Sequence, residues 1–252
     1  MRGWRGLRVY DMHVHLHEYS DREVEEILDA DKSLVVVAVS DDLESAWRTL
    51  DLWHTFGGRV VPCLGFHPWN VREGRVWEAW EVLRLAYRYG VPCLGEVGLD
   101  RRFVDEYTWR VQNEVFDAFV QLAEDMGVML NIHAPDAWKH VAHRIGWTSR
   151  ARFMYHWYTG PATLPRALPE GRVWFSINSA IRVQEKSVRV AREIPLRSLV
   201  VESDGPYNYR GLRLSPLMVR ETVKLVAEAR GEDPGRLMEA ISLNSERLLG
   251  LL

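Results

Sequence analysis

VPCLGFH (residues 61–67) and VPCLGEV (residues 91–97) share five consecutive residues thirty positions apart. Each is a short apolar run that stops at a glycine, with a residue capable of chemistry, His67 or Glu96, just beyond it. Two matched strand ends are what neighbouring parallel strands of one sheet look like, because such strands are buried on both faces and read as continuous apolar runs. The two cysteines, Cys63 and Cys93, lie inside these runs. With no CxxC spacing and no further thiol to build a framework, they read as small buried strand residues.

Six further runs of the same kind complete the pattern: 7–13, 34–40, 128–133, 151–156, 173–178 and 199–203, alongside 60–66 and 91–97. Helical stretches lie between and after them. Residues 21–31 follow a cap candidate, Ser20, with a first turn of acids; 76–90 and 111–127 stop at glycines; 215–231 and 233–250 carry Pro216 and Pro234 just inside their starts. Eight strands alternating with helices predict a (β/α)8 TIM barrel, an α/β fold. Helical signals are weak between the fifth and eighth strands, so the barrel is expected to be irregular in its second half. An open doubly wound sheet is the alternative fold. Its nucleotide-binding versions are disfavoured, since no GxGxxG or GxxxxGK[ST] loop occurs. No linker or shift in composition divides the chain, so residues 1–252 read as one domain.

The chain has 252 residues, 47% hydrophobic and 27% charged, with a formal net charge of −3. That balance gives no general attraction to nucleic acid or anionic membranes. No apolar run reaches the ~18 residues of a membrane span. The N-terminal MRGWRGLRVYD has charge but no apolar core, so no signal peptide is expected and a cytoplasmic enzyme is the default.

Functional residues of such barrels sit at the C-terminal ends of the strands. Those ends here carry His13 and His15, Ser40-Asp41-Asp42, His67, Glu96, His133, His156, Ser176 or Asn178, and Asp204. His13 and His15 are two apart on a strand, so both rings face one side and can chelate one ion. A carboxylate at the end of a buried strand, as at Glu96, costs several kcal/mol unless a partner or metal answers its charge. Together these groups suit two divalent ions, zinc, manganese or magnesium. Two such ions share and acidify a water, the bridging hydroxide of metal-assisted hydrolysis. Asp204 is placed to orient it and shuttle its proton.

Asp11-x-His13-x-His15, Gly65-Phe66-His67-Pro68, Gly95-Glu96-Val97-Gly98-Leu99-Asp100, His133, His156-x-Tyr158-x-Gly160 and Glu202-Ser203-Asp204-x-Pro206 follow in this order. In order and spacing the chain resembles the TatD family, metal-dependent hydrolases of amidohydrolase-like barrel fold, many of them deoxyribonucleases. Gln112, Phe116 and Gln121-Leu122-Ala123 also look like the family's helix after GExGLD. The resemblance implies that His13, His15, Glu96 and Asp204 hold one metal, and Glu96, His133 and His156 the second, with Glu96 bridging. It implies that His67 faces the scissile phosphate. Two positions depart from the pattern: Pro135 stands where the family has the arginine of HxRxA, and Ser203 where threonine is usual. Arginine is suited to bidentate phosphate binding, so its loss also opens a short acyl substrate as an alternative.

Of the remaining histidines, His17 lies past the strand end and is expected at the surface or rim, and His54, His140 and His143 at the surface. Trp69, Trp157, Tyr158 and Tyr207 flank proposed site residues and can stack bases or wall the pocket. Asp100 fits a turn or a contact behind a ligand. The leading expectation is a two-metal phosphodiesterase or deoxyribonuclease acting on a DNA end, with Asp204 and Glu96 catalytic and His67, Trp69, Trp157 and Tyr207 around the substrate. The alternatives are an amidohydrolase, esterase or lactonase on a small substrate, and a non-catalytic metal-binding barrel. No membrane partner and no extended nucleic-acid surface are expected.

Overall fold

The computed structural model describes residues 7–102 and 105–252. Most of the N-terminal stretch that bears on a signal peptide, residues 1–6, lies outside them. Eight parallel strands, β1 (Val9–Val14), β2 (Leu34–Val39), β3 (Val60–Leu64), β4 (Cys93–Gly98), β5 (Met129–His133), β6 (Arg152–Tyr155), β7 (Val173–Asn178) and β8 (Leu199–Glu202), pair in sequence order. The chain beyond β8 returns to β1, where Asp204 N donates to His13 O at 3.0 Å and Ser203 N to Asp11 Oδ1 at 2.8 Å. The result is a nearly closed (β/α)8 barrel and not an open doubly wound sheet.

The helices are α1 (Asp21–Ala30), α2 (Leu43–Phe56), α3 (Trp77–Tyr89), α4 (Glu106–Met126), α5 (Trp138–Ile145), α6 (Leu164–Ala167), α7 (Glu185–Glu193), α8 (Val219–Arg230) and α9 (Pro234–Leu249). Ser20 and Glu23 form a capping box at the start of α1. Two differences from the sequence reading are local. α2 has no counterpart in it, although Asp42 caps that helix by accepting from Ser45 N at 2.9 Å. α4 starts five residues before 111, because Asp105 accepts from Thr108 N at 2.7 Å. Between β5 and β8 the helices have only eight, four and nine residues, so the second half is irregular as expected. A short hairpin, β9 (Asn208–Tyr209) and β10 (Leu212–Arg213), follows β8. No helix among the described residues is long and apolar enough to cross a membrane.

Side chains alternate between two apolar layers. Tyr10, Met12, Val35, Val37, Val39, Met129, Met154, Trp174 and Val200 fill the barrel. Val9, Val36, Leu94, Leu130, Phe153, Phe175 and Val201 pack outward under the helices. β1 and β4 break this alternation. The pairing register slips between Asp11 and Val14, and again between Leu94 and Val97. Met12 faces in and Val14 out, so the extra residue turns His13 inward; Cys93 faces in and Val97 out, which does the same for Glu96. Gly98 allows the close approach this needs: a Cβ there would lie 1.8 Å from His133 O.

The two cysteines are not separate thiols, as the sequence suggested. Cys63 and Cys93 are register partners on β3 and β4, both fully buried in the barrel interior with Cα atoms 4.4 Å apart, and they form a disulfide. The matched pentapeptides place them at equal heights on adjacent strands, which two isolated small residues would not require.

Candidate metal centre

The slips in β1 and β4 bring the expected donors to one point at the C-terminal end of the barrel. His13 Nε2 and His15 Nε2 lie 3.3 Å apart. Each is 3.5 Å from Glu96 Oε2, and they are 3.4 and 3.3 Å from Asp204 Oδ1. The other oxygen of Glu96, Oε1, is 2.7 Å from His133 Nδ1 and 2.9 Å from His156 Nε2, whose two nitrogens are 3.4 Å apart. Glu96 thus stands between two donor sets with one oxygen turned to each. All six residues expected to ligate metal are here.

Each imidazole has an oxygen behind it, hydrogen-bonded to the ring at His13 and His133 and only close to it at His15 and His156. Asn131 donates its amide N–H to Met12 O at 3.0 Å, so its Oδ1, 3.0 Å from His13 Nδ1, accepts the ring N–H. Asp100 Oδ2 lies 3.0 Å from His133 Nε2, Asp41 Oδ2 3.2 Å from His15 Nδ1, and Glu202 Oε1 3.4 Å from His156 Nδ1. A carbonyl or carboxylate behind the ring fixes its tautomer and turns the other nitrogen's lone pair forward. The forward nitrogens of the four rings and two carboxylates face one another in a region where Glu96 is 2% and Asp204 5% exposed.

Such a set is stable only with positive charge among it. Burial alone would raise the carboxyls and lower the histidines, yet each shift runs the other way. His156, His67 and His13 hold Glu96 well below the usual carboxylate range, and hydrogen bonds with His13 and His15 do the same for Asp204. Asp41 and Asp204 hold His15 well above the usual histidine range, and Glu96 and Glu202 do so for His156. The donor chemistry fits divalent cations. Nitrogen and oxygen ligands ~2.0–2.1 Å from a tetrahedral zinc are about 3.4 Å apart, close to the spacing in the His13–His15–Glu96–Asp204 set.

His67 differs from the other four. Its Nδ1 accepts from Trp69 N at 3.2 Å, so the neutral ring carries its proton on Nε2, 3.6 Å from Glu96 Oε1. Burial pushes its pKa below the usual histidine value. It presents a donor where the others present lone pairs.

A cavity of about 520 Å³ opens above these groups, with Trp69, Trp157 and Tyr207 on its wall as expected. Tyr158 does not reach it; the ring is buried against Phe175 and its hydroxyl donates to Pro161 O at 2.6 Å. Trp69 also works behind the site, its Nε1 donating to Asp100 Oδ2 at 2.8 Å. His17 is a rim residue with its Nε2 3.3 Å from Asp41 Oδ2. Pro135 lines the cavity.

Sequence reasoning assigned no role to Asn131, Glu202, Gln184, Lys186, Trp138 or Tyr209. Asn131 carried a signal: a polar residue inside an apolar strand, two before His133, faces the same way as that histidine. Glu202, two after Val200 at the end of β8, carried the same signal; the others had none, because their partners lie far away in sequence.

The family model described as TatD related DNase matches residues 10–250. A mouse relative named putative deoxyribonuclease TATDN3 is 24% identical over 262 residues, covering 96% of this chain and 88% of that protein. The uncharacterized metal-dependent hydrolase YabD of Bacillus subtilis is 25% identical over 253 residues, covering 95% and 98%. The crystal structure of YJJV, a TatD homolog from Escherichia coli, superposes with a TM-score of 0.81 at 20% identity, covering 96% of this chain and 98% of that one, a likeness of fold. With a match that spans the barrel and every strand end carrying the site, the chain belongs to the TatD-related DNase family and is a metal-dependent hydrolase of that family.

Proposed function

We propose that the protein is a two-metal phosphodiesterase that cleaves a DNA end. The observation that carries this reading is the division of Glu96 between two donor sets, Oε2 toward His13 and His15, Oε1 toward His133 and His156. His13, His15, Glu96 and Asp204 would hold one ion, and Glu96, His133 and His156 the other. When bound, two divalent ions acidify a water and polarise a phosphoryl oxygen.

The protein's own groups then divide the work. Asp204, ionised and at the cavity floor, accepts the proton of the attacking water and returns it to the leaving oxygen. His67 donates its Nε2–H to a nonbridging phosphoryl oxygen, where negative charge grows. Asn131 and Asp100 keep the rings of His13 and His133 from turning, and the carboxylates of Asp41 and Glu202 stand behind His15 and His156. Trp69, Trp157 and Tyr207 wall the substrate and exclude water from its apolar parts. DNA as the substrate is supported by the name of the mouse relative and by the donor at His67.

A second reading, hydrolysis of a small ester or lactone, draws on Pro135 and on the aromatic wall. Parallel assays of the metal-loaded protein with single-stranded DNA, bis(p-nitrophenyl) phosphate and a lactone panel separate the two. Turnover of both phosphodiesters is expected. Turnover of lactones alone would move the site to acyl chemistry, and turnover of none of the three would overturn the phosphodiesterase reading.

A further inference from the structure

Above the donor sets the cavity wall is built on one residue that no metal role explains. Gln184 Oε1 accepts from Trp157 Nε1 at 3.1 Å, and Gln184 Nε2 donates to Tyr209 Oη at 2.8 Å. Ser187 Oγ also donates to Gln184 Oε1. The indole of Trp157 meets the rings of Tyr207 and Tyr209 edge to face, with centroids 5.8 and 5.1 Å away. Its backbone is in the left-handed region, φ 38°, a costly place for a bulky residue. Two acceptors hold it there, Ser176 Oγ at 3.0 Å and Glu202 Oε1 at 2.7 Å from Trp157 N. Next to the ligand His156, the chain has thus fixed a flat ring on the cavity wall.

Two residues after Gln184 comes Lys186, one of four lysines among 32 basic residues and the only one lining the cavity. Its Nζ lies 5.6 Å from the centroid of Trp138, a cation–π contact between two residues that both line the cavity. Among the described residues no carboxylate pairs with it. Arg102, the cavity's other strong base, has Asp136 3.3 Å from its Nε.

We propose that Lys186 anchors a second anionic group of the substrate, a phosphate borne by a nucleotide whose base lies against Trp157. This rests on the phosphodiester reading above. An ammonium binds phosphate as a point charge and tolerates varied approach, while a fixed indole stacks any base. One end of the substrate is held at the donor sets, and the neighbouring nucleotide at Trp157 and Lys186. The site then prefers a terminal nucleotide carrying phosphate over a small diester with none.

The test compares bis(p-nitrophenyl) phosphate with dithymidylate carrying a terminal phosphate at its 5′ or 3′ end, in wild type, Lys186→Ala and Lys186→Arg. Lys186→Ala should raise KM for a phosphorylated dithymidylate about tenfold more than for the small diester, with Lys186→Arg recovering most of the difference. Equal effects on both substrates would overturn the proposal. Calorimetric binding of thymidine 3′,5′-bisphosphate gives a readout without hydrolysis. Affinity about tenfold weaker in Lys186→Ala, and more salt-sensitive in wild type, supports the anchor; unchanged affinity overturns it. If wild type cleaves neither diester, the phosphodiester reading fails on its own, and the binding data alone judge Lys186.

Discussion

Asp100 Oδ2 lies 3.0 Å from His133 Nε2, on the side of the ring opposite Glu96. That carboxylate is itself gripped: Trp69 Nε1 donates to Oδ2 at 2.8 Å, and Arg102 N donates to Oδ1 at 2.8 Å. Gln112 Oε1 accepts from Asp100 N at 2.8 Å, so a side chain of α4 sets the height of the whole relay. Removing a carboxylate behind a metal-ligating histidine costs about 10- to 100-fold in affinity or activity. Asp100→Ala should therefore bind divalent ions about tenfold or more weakly, read by chelator competition and elemental analysis. Two ions held at wild-type affinity in that variant would show that His133 needs no such support.

Glu96→Ala removes the residue common to both donor sets and should lose metal as well as turnover. Asp204→Ala should fold normally but lower kcat by about 10³-fold, within the range for loss of a proton-transfer group. Circular dichroism checks the fold, and phosphodiester hydrolysis checks the rate. Full activity in Asp204→Ala would remove its proton-shuttle role.

Metal removal should be visible in stability. A ligand at 100 times its Kd stabilises by about 2.7 kcal/mol, and about 2–4 °C of Tm per kcal/mol is usual at this size. Protein purified without chelator should hold close to two ions per chain, and chelation should lower Tm by about 5–10 °C and abolish hydrolysis. Failure to take up any ion on reconstitution would undo the two-metal reading.

Glu124, on α4, braces the chain entering β6. Its carboxylate accepts from the backbone N–H groups of Ser149, Arg150 and Ala151 at 2.9–3.1 Å and from Ser149 Oγ at 2.8 Å. Burial alone would raise its pKa, but these donors, Ala151 foremost, bring it down to about 2. A carboxyl depressed in the folded state stabilises above its unfolded pKa, about 4.5, and that contribution is lost as pH falls toward 2. Glu124→Gln should lower stability by about 1 kcal/mol at pH 7, solvent screening keeping the value modest. The gap between variant and wild type should narrow between pH 4.5 and 2, measured by urea denaturation. A gap constant over that range would show that hydrogen-bond number, not charge, sets the effect.

Local periodicity carried the reading a long way. Apolar runs of four to seven residues, with helices between them, are enough to count eight strands and to order them, because burial on both faces is written into each run. From β5 to β8 the alternation is unbroken, so Asn131, His133, His156, Ser176 and Glu202 face inward in step with Met129, Met154, Trp174 and Val200. The order of histidines and carboxylates along the chain was likewise enough to name six candidate metal donors, which the barrel brings to one point.

Tertiary structure alone decided the side of the sheet in β1 and β4. With unbroken alternation His13 would face outward with Val9, and Glu96 with Leu94. One slipped residue in each strand turns them in, and that slip depends on the neighbouring strands and, in β4, on the space left by Gly98, not on the strand's own pattern. The Cys63–Cys93 bond, the groups behind the ligand rings, and the Gln184 clamp on Trp157 have the same cause. Each joins residues that are apart in sequence, and their meeting is fixed by the register of the barrel.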